Sequence, residues 1–225
     1  MCGRYASRLP PEYIRGVFHT VGGVPNFAAN YNLSPSQDGM VVRRHPETGE
    51  RRLDVLRWGL IPYYEKDPKG GRRPPIARAE TVATSGLFRD AFARRRCLVP
   101  ADAFYEWKRV VGGKQPYAIA REDGEVMGFA GVWERWHAPD GELVRTFAII
   151  TTAANAEMAE LHDRMPVILE PADWPLWLGE VEGDPAALLR PAPDHTLRTW
   201  PVSPQVNSWH NNGPELLAPL RTAGS

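Results

Sequence analysis

The chain has 225 residues, of which 43% are hydrophobic and 24% charged, and its 27 basic and 27 acidic side chains give a formal net charge of zero. This composition is that of a globular protein, and it excludes a collagen-like chain, a disulfide-rich scaffold and a protein held to nucleic acid by its overall charge. No apolar run approaches the roughly 20 residues of a membrane-spanning helix, and no signal-peptide pattern opens the chain, so we expect a cytoplasmic protein that does not bind membranes.

The first half of the chain predicts two helices and one strand. The first helix is indicated by apolar residues at helical spacing after a proline pair, namely Pro10, Pro11, Tyr13, Ile14, Val17 and Phe18. Alternating apolar residues predict a strand over 53–60, and the prolines and glycines of 63–75 predict a loop. A second helix, ending in a basic triplet, is indicated by Leu87, Phe88, Ala91 and Phe92.

Four strand-like runs dominate the second half, over 97–107, 117–121, 126–133 and 145–152. Gly-Gly and Asp-Gly pairs between them are turn signals. A helix is expected over 153–161, with Thr152 or Asn155 as its cap, and Asp184-Pro185 opens a short last helix.

Clustered strands with helices at the periphery predict an α+β fold, with a mainly antiparallel sheet or open barrel flanked by short helices. The sequence shows no internal repeat and no alternation of strands and helices of the βαβ kind. We expect a single domain over 1–225, in which 214–225 form a loosely held tail.

The second residue, Cys2, carries chemistry if Met1 is removed. An N-terminal cysteine has an α-amine and a thiol that titrate at roughly 8 and 8.5. Together they can trap an aldehyde, because the amine forms an imine and the sulfur then closes a thiazolidine; alternatively the thiolate attacks an acyl carbon. An inert, frayed terminus is the third interpretation. The other cysteine, Cys97, lies in an apolar stretch and is expected to be an unreactive core residue.

Two further residues are candidates for acid–base chemistry. Glu106 lies between aromatic residues on a predicted strand, where burial would raise the pKa of its carboxyl group; a solvent-facing strand position is the alternative. His162 follows the predicted helix 153–161, whose C-terminus would stabilise a protonated imidazole; a surface histidine that caps carbonyl groups is the alternative. No other histidine or cysteine stands at zinc-ligand spacing from it, so we expect no metal site.

Candidate DNA contacts are more ambiguous. Trp58, followed by a glycine whose backbone can approach a ligand closely, is either a base-stacking residue or a core residue. Asn32 is either a turn residue or a polar member of a site. Basic pairs and triplets recur over 43–96 and form either a local phosphate-binding face or solvated loops and helix ends.

Seven segments in this order resemble the SOS-response-associated peptidase (SRAP) family over about residues 2–213. They are M-C-G-R-Y at the start, Y-N-L-S-P-S-Q at 31–37, R-W-G-L-I-P at 57–62, A-R-A-E-T at 77–81, C-L-V-P-A-D-A-F-Y-E-W at 97–107, H-D-R-M-P at 162–166 and V-S-P-Q-V-N-S at 202–208.

The resemblance implies a protein that covalently captures abasic sites in single-stranded DNA, without a cofactor. Cys2 would form the crosslink, Glu106 would assist proton transfers in imine formation, and His162 would assist sugar ring opening and crosslink reversal. The DNA groove would be lined by Arg4, Asn32, Trp58, Arg78 and Arg164. A monomer that joins the nucleoid when bound to DNA is expected.

One position departs from the family pattern. Where the family has an asparagine before A-R-x-E-T, this chain has Ile76. Isoleucine offers no hydrogen-bonding group, so we expect an active but slower or altered protein. Two other functions stay open: a cysteine peptidase that uses Cys2 and His162, including removal of its own leader, and a non-covalent single-stranded DNA binder.

Overall fold

The computed structural model describes residues 3–66, 71 and 73–220. Met1, Cys2 and Arg72 lie outside the described residues, as do 67–70 and 221–225.

Within this part of the chain the first seven strands are β1 (Tyr5–Ser7), β2 (Asn30–Leu33), β3 (Asp38–Arg44), β4 (Arg51–Trp58), β5 (Ile76–Arg78), β6 (Arg96–Ala101) and β7 (Ala103–Val110). The others are β8 (Gly113–Arg121), β9 (Met127–His137), β10 (Leu143–Ala153), β11 (Arg164–Pro166), β12 (Ile168–Leu169) and β13 (Leu197–Pro201). The α-helices are α1 (Pro11–Phe18), α2 (Arg89–Arg94), α3 (Ala156–Ala159) and α4 (Trp174–Leu178). Four 3₁₀ turns are Pro171–Asp173, Pro185–Leu188, Pro204–Asn207 and Pro214–Leu217.

The strands form two sheets. The smaller is antiparallel throughout, in the order β13-β8-β7-β1-β2. In the larger sheet, β10, β4, β3, β6 and β9 pair in succession, and β9 pairs with β10 again, so these five strands close into a barrel. Its parallel pairs are β4 with β10 and β5 with β10. The α+β fold with a mainly antiparallel sheet is therefore confirmed.

Both faces of the barrel strands are covered, which explains their continuous apolar runs. In β3, Met40 and Val42 pack into a cluster with helices α1 and α4. The intervening Val41 packs into a second cluster, which includes Tyr5 and Phe104 of the smaller sheet. The small sheet is therefore held against one face of the barrel and the helices against the other.

Several sequence predictions need correction at their ends. The run 97–107 is two strands, β6 and β7, which belong to different sheets. The helix expected over 153–161 is a single turn, α3, because β10 extends through Ala153; Asn155 caps this turn by accepting from the Met158 amide. The short helix predicted to open at Asp184-Pro185 is the 3₁₀ turn Pro185–Leu188, capped by Asp184; it is not the last, since turns at Pro204–Asn207 and Pro214–Leu217 follow.

The expected loose tail is not found over 214–220. Leu216 is fully buried, and the Trp200 indole donates to the Leu217 carbonyl at 2.9 Å. A bridge between Val202 and Pro219 extends the pairing. Apolar side chains thus fix this segment against the small sheet. Among the described residues, every helix falls short of the length and apolarity that a membrane span requires.

Candidate active site

Glu106 provides a buried carboxyl group on β7. Its side chain lies opposite Tyr117 of β8 and is only 2% exposed. Burial raises the pKa of this carboxyl above its ordinary value, and the electrostatic effect of nearby His162 opposes part of that shift. The predicted burial of Glu106 between aromatic residues is confirmed, and the solvent-facing alternative is wrong.

His162 lies in the turn between α3 and β11. Its Nδ1 accepts the Arg164 backbone N–H at 3.0 Å and lies 2.8 Å from an Asp163 carboxylate oxygen. A neutral imidazole with an unprotonated Nδ1 can accept the first bond, whereas a protonated one can donate to Asp163. The imidazole therefore has a partner in both protonation states. The helix before it is shorter than expected, since α3 has only four residues, and the His162 amide donates to the Met158 carbonyl of α3 at 2.8 Å.

The first described residues run beside the strand that carries Glu106. The Tyr105 amide donates to the Arg4 carbonyl at 3.0 Å, and Tyr5 pairs with Phe104. The Arg4 guanidinium is partly buried, which lowers its pKa, and it donates to the Val206 carbonyl at 2.7 Å. Arg4 thus anchors the start of the chain near the buried carboxyl group.

Asn32 does not form the turn that one interpretation predicted; it lies in β2 and is 1% exposed. Its amide nitrogen donates to the carbonyl oxygens of Val206, Ser208 and Asn211, and its oxygen accepts from Arg4 at 2.8 Å. With every one of these bonds internal, Asn32 holds the 204–212 segment in place rather than facing solvent.

Arg164 is also engaged within the protein. Its guanidinium donates to both carboxylate oxygens of Glu80, at 2.6 and 3.0 Å, and to the Thr151 carbonyl at 2.6 Å. The Arg164 hydrogen bond lowers the pKa of Glu80, and Arg78 adds a smaller effect in the same direction. Arg164 therefore ties β11 to the turn after β5, which is a structural use of a residue expected to contact DNA.

Arg78 and Ile76 both lie on β5, beside the end of β10. Arg78 is exposed, and in the described part of the chain no side-chain hydrogen bond or ion pair engages it. Ile76 is half-buried and packs against the same apolar cluster as Tyr117 and Leu161, the neighbours of Glu106 and His162. β5, β7 and the turn after α3 thus converge.

Trp58 belongs to the core and is 0% exposed. Its ring meets Tyr5 at 5.2 Å between centroids, and its indole nitrogen donates to the Pro75 carbonyl at 2.8 Å. A side chain so enclosed cannot stack on a base, so the core interpretation is right. Gly59 adopts a φ of 127°, favoured by glycine, and a Cβ there would lie 3.2 Å from the Arg73 carbonyl, so its close neighbour is backbone rather than ligand.

Most of the basic residues over 43–96 that the structure describes have partners within the protein. Their guanidinium groups bind acidic side chains or carbonyl oxygens: Arg43 with Asp54, Arg51 with Glu180, Arg52 with Glu50, Arg95 with Glu134, and Arg44 and Arg96 with Gly179 and Trp177. Arg44, Arg94, Arg95 and Arg96 line one groove, in which Arg94 is exposed, so a local basic face stays a prediction.

Sequence reasoning missed several contributors to this region. Glu80 lies in the motif A-R-A-E-T and Trp107 lies in F-Y-E-W, so these motifs could have pointed to both residues. The Trp107 indole donates to the Asn207 side chain at 2.7 Å. Thr151, in a run of apolar strand residues, carried no such signal. Cys97 is fully buried, which raises the pKa of its thiol, so its expected place in the core is confirmed.

Comparison with known proteins places this arrangement in a family. A model of the family described as SOS response associated peptidase (SRAP) matches residues 1–209. The abasic site processing protein YoqW of Bacillus subtilis is 38% identical over 223 residues, covering 96% of this chain and 99% of that protein. The abasic site processing protein HMCES of Xenopus tropicalis is 31% identical, covering 98% of this chain and 78% of that protein.

Solved structures share the fold. A crystal structure of a Bacteroides thetaiotaomicron protein has a TM-score of 0.87 at 23% identity, covering 97% of this chain and 100% of that one. One of a Bordetella bronchiseptica protein has a TM-score of 0.76 at 29% identity, covering 90% and 100%. The fold is thus the α+β barrel-and-sheet arrangement of these proteins. The chain belongs to the SRAP family, as its motifs indicated.

Proposed function

We propose that this protein captures abasic sites in single-stranded DNA through a covalent bond to Cys2, after removal of Met1. Two relatives are named abasic site processing proteins, and one is matched over 99% of its length. The observation that carries the proposal is the buried carboxyl group of Glu106, which lies close to His162. Arg4 is held beside the strand that contains Glu106. Cys2 itself lies outside the described residues.

The proposed reaction joins the aldehyde of the ring-opened sugar to both groups of Cys2. The α-amine adds to the aldehyde carbon, and the resulting hydroxyl leaves as water when Glu106 donates a proton, which gives an imine. The thiol sulfur then adds to the imine carbon, its proton passes to the nitrogen, and the thiazolidine closes. Burial suits Glu106 to this role, because a raised pKa keeps the proton available nearer to neutral pH.

His162 is proposed to open the sugar ring and to reverse the crosslink. With Nδ1 protonated and directed at Asp163, the free Nε2 can take the proton of the anomeric hydroxyl; the bond from the anomeric carbon to the ring oxygen breaks, the aldehyde forms, and the imidazolium returns the proton to the ring oxygen. Asp163 would then pair with the protonated ring. The imine that precedes sulfur addition is also the species from which strand cleavage proceeds, so lyase activity belongs to the same proposal.

A denaturing gel tests the proposal against its alternatives. The protein is incubated with single-stranded DNA that carries one abasic site, and the expected result is a shifted band that is lost in Cys2→Ala. Peptide cleavage without a shifted band would instead support a cysteine peptidase. Binding seen only under native conditions would support a non-covalent DNA binder.

The intact mass of the preparation is the required control. If Met1 is retained, the nitrogen of Cys2 is part of an amide and the thiazolidine cannot form. We therefore expect crosslinking only in the fraction that lacks Met1. A crosslink of equal yield in the Met1-bearing fraction would contradict the proposed chemistry.

A further inference from the structure

The segment over 204–212 presents an unusual surface beside the candidate active site. Trp209 is 52% exposed, and its ring lies 3.7 Å from that of His210, tilted by 31°. The two rings contact each other and together present aromatic surface to solvent. The pair therefore forms an exposed aromatic platform, defined here as Trp209 and His210.

The platform rests on a well-anchored backbone. Asn32 and Arg4 engage the carbonyl groups of the segment, as described above. At its far end Asn212 accepts from the Tyr31 amide at 2.8 Å. Because these donors occupy several carbonyl oxygens of the segment, a ligand would contact mainly its side chains. A stacking surface needs such anchoring, because a fixed ring loses little entropy when a partner binds.

The platform is linked to the candidate active site through Trp107, which lines one groove together with His162. Asn207 accepts from the indole of Trp107, the residue after Glu106, at 2.7 Å. Trp209 follows Asn207 by two residues, which places their Cα atoms within about 7 Å. No acidic residue occurs over 204–212, so a polyanion is not repelled by this segment.

We propose that Trp209, backed by His210, is a stacking site for an unpaired base next to the lesion in single-stranded DNA. This inference rests on the proposed function, since it takes its occupant from the strand that the candidate active site would hold. Flat aromatic rings stack on bases of any sequence, so the site would favour lesions with neighbouring bases. Trp58 cannot fill this role from the core.

The test measures non-covalent binding, so that crosslinking is not needed. Fluorescence anisotropy follows an oligonucleotide with one tetrahydrofuran abasic analogue, flanked either by bases or by further tetrahydrofuran units. The wild type should bind the first about 5- to 100-fold more tightly, as expected for one stacked base. Trp209→Ala should lose this preference, and Trp209→Phe should keep most of it.

Tyr63→Ala is the matched control. Tyr63 is 55% exposed and lies near His137. His137 is at one end of the β9–β10 pair, and Thr151 is near the other end of β10. Its removal should leave the preference unchanged, and thermal melts should show both alanine variants folded. Equal loss in both variants, or an unchanged preference in Trp209→Ala, would overturn the inference. If the wild type fails to crosslink a natural abasic site yet shows the Trp209-dependent preference, the proposed function fails and the stacking site stands.

Discussion

At Glu106, burial opposes ionisation, and the same environment sets both reactivity and stability. Its pKa is raised in the folded protein, so the folded state favours the protonated carboxyl group. The contribution to stability is complete below the ordinary pKa of a glutamate and is lost as pH rises through the raised value. As pH rises through this raised pKa, the carboxyl group that is proposed to donate the proton therefore lowers the free energy of unfolding.

Glu106→Gln should separate the two effects. The amide cannot donate the proton, so capture should slow about 10²- to 10⁴-fold. Because the amide never ionises, stability relative to the wild type should increase as pH rises through the raised pKa. Crosslinking rates and urea midpoints measured between pH 4 and 8 check both expectations. A stability difference that does not change with pH would show that burial of charge is not what Glu106 contributes.

At Ile76, an apolar side chain occupies a position where the resemblance to the family implies an asparagine. Ile76→Asn restores two donors and one acceptor beside the convergence of β5, β7 and the turn after α3. A recovered hydrogen bond of about 1–3 kcal/mol would speed capture roughly 5- to 100-fold. Single-turnover crosslinking checks this, with Ile76→Val as a control that stays apolar. Equal rates in the three proteins would make the substitution neutral.

At the scale of elements, the β7–β8 hairpin places like charges in register. Arg109 lies directly opposite Lys114 near its tip, and both are exposed. These two line a groove of ≈ 480 Å³ with Lys108 and His162, and the acidic residues Glu160 and Asp163 line it as well. Cations opposed across an antiparallel pair repel each other, and a phosphate between them would relieve the repulsion.

The double variant Arg109→Gln/Lys114→Gln should therefore weaken DNA binding while it slightly stabilises the hairpin. Two lost phosphate contacts would reduce the slope of log K against log salt by about 1.4. The gain in stability should stay below about 1 kcal/mol. Anisotropy titrations from 50 to 300 mM salt measure the slope. Arg57→Gln on β4, which removes an exposed arginine elsewhere, is the control and should leave the salt slope unchanged. A salt slope in the double variant equal to that of the wild type would show that the DNA strand does not contact Arg109 and Lys114.

At the scale of the whole molecule, the C-terminal segment couples stability to the candidate active site. Leu216 packs with Tyr105 of β7 and with Val206, at the base of the segment that carries Trp209. Anything that removes this contact exposes the apolar side of β7 and loosens the platform above it.

Ending the chain at Gly213 should therefore impair both properties. Loss of a buried leucine costs about 2–5 kcal/mol, which corresponds to a fall in Tm of roughly 4–20 °C for a chain of this size. Capture should fall as well, at temperatures where the variant is still folded. A chain that ends at Leu220 keeps the described contacts and should match the wild type. Equal Tm values for the two truncations would contradict the packing role of Leu216.

The sequence alone determined much of this protein. Apolar periodicity and turn residues indicated α1, β4 and most of β7–β10, because these signals are local and each depends on a few neighbouring side chains. The aromatic neighbours of Glu106 likewise indicated its burial, and the ordered motifs indicated the family.

Only the tertiary structure decided how the polar and aromatic side chains are used. Trp58 is enclosed by Tyr5 and Phe147, and Asn32 bonds to carbonyl groups more than 170 residues away in the chain. Arg164 forms an ion pair with Glu80 across the end of β10. The pairing of distant strands fixes such partners, and no local pattern records which remote group will satisfy a buried donor. For that reason Asn32, Trp58 and Arg164, which were expected to contact DNA, are engaged within the protein, whereas Arg78 stays exposed.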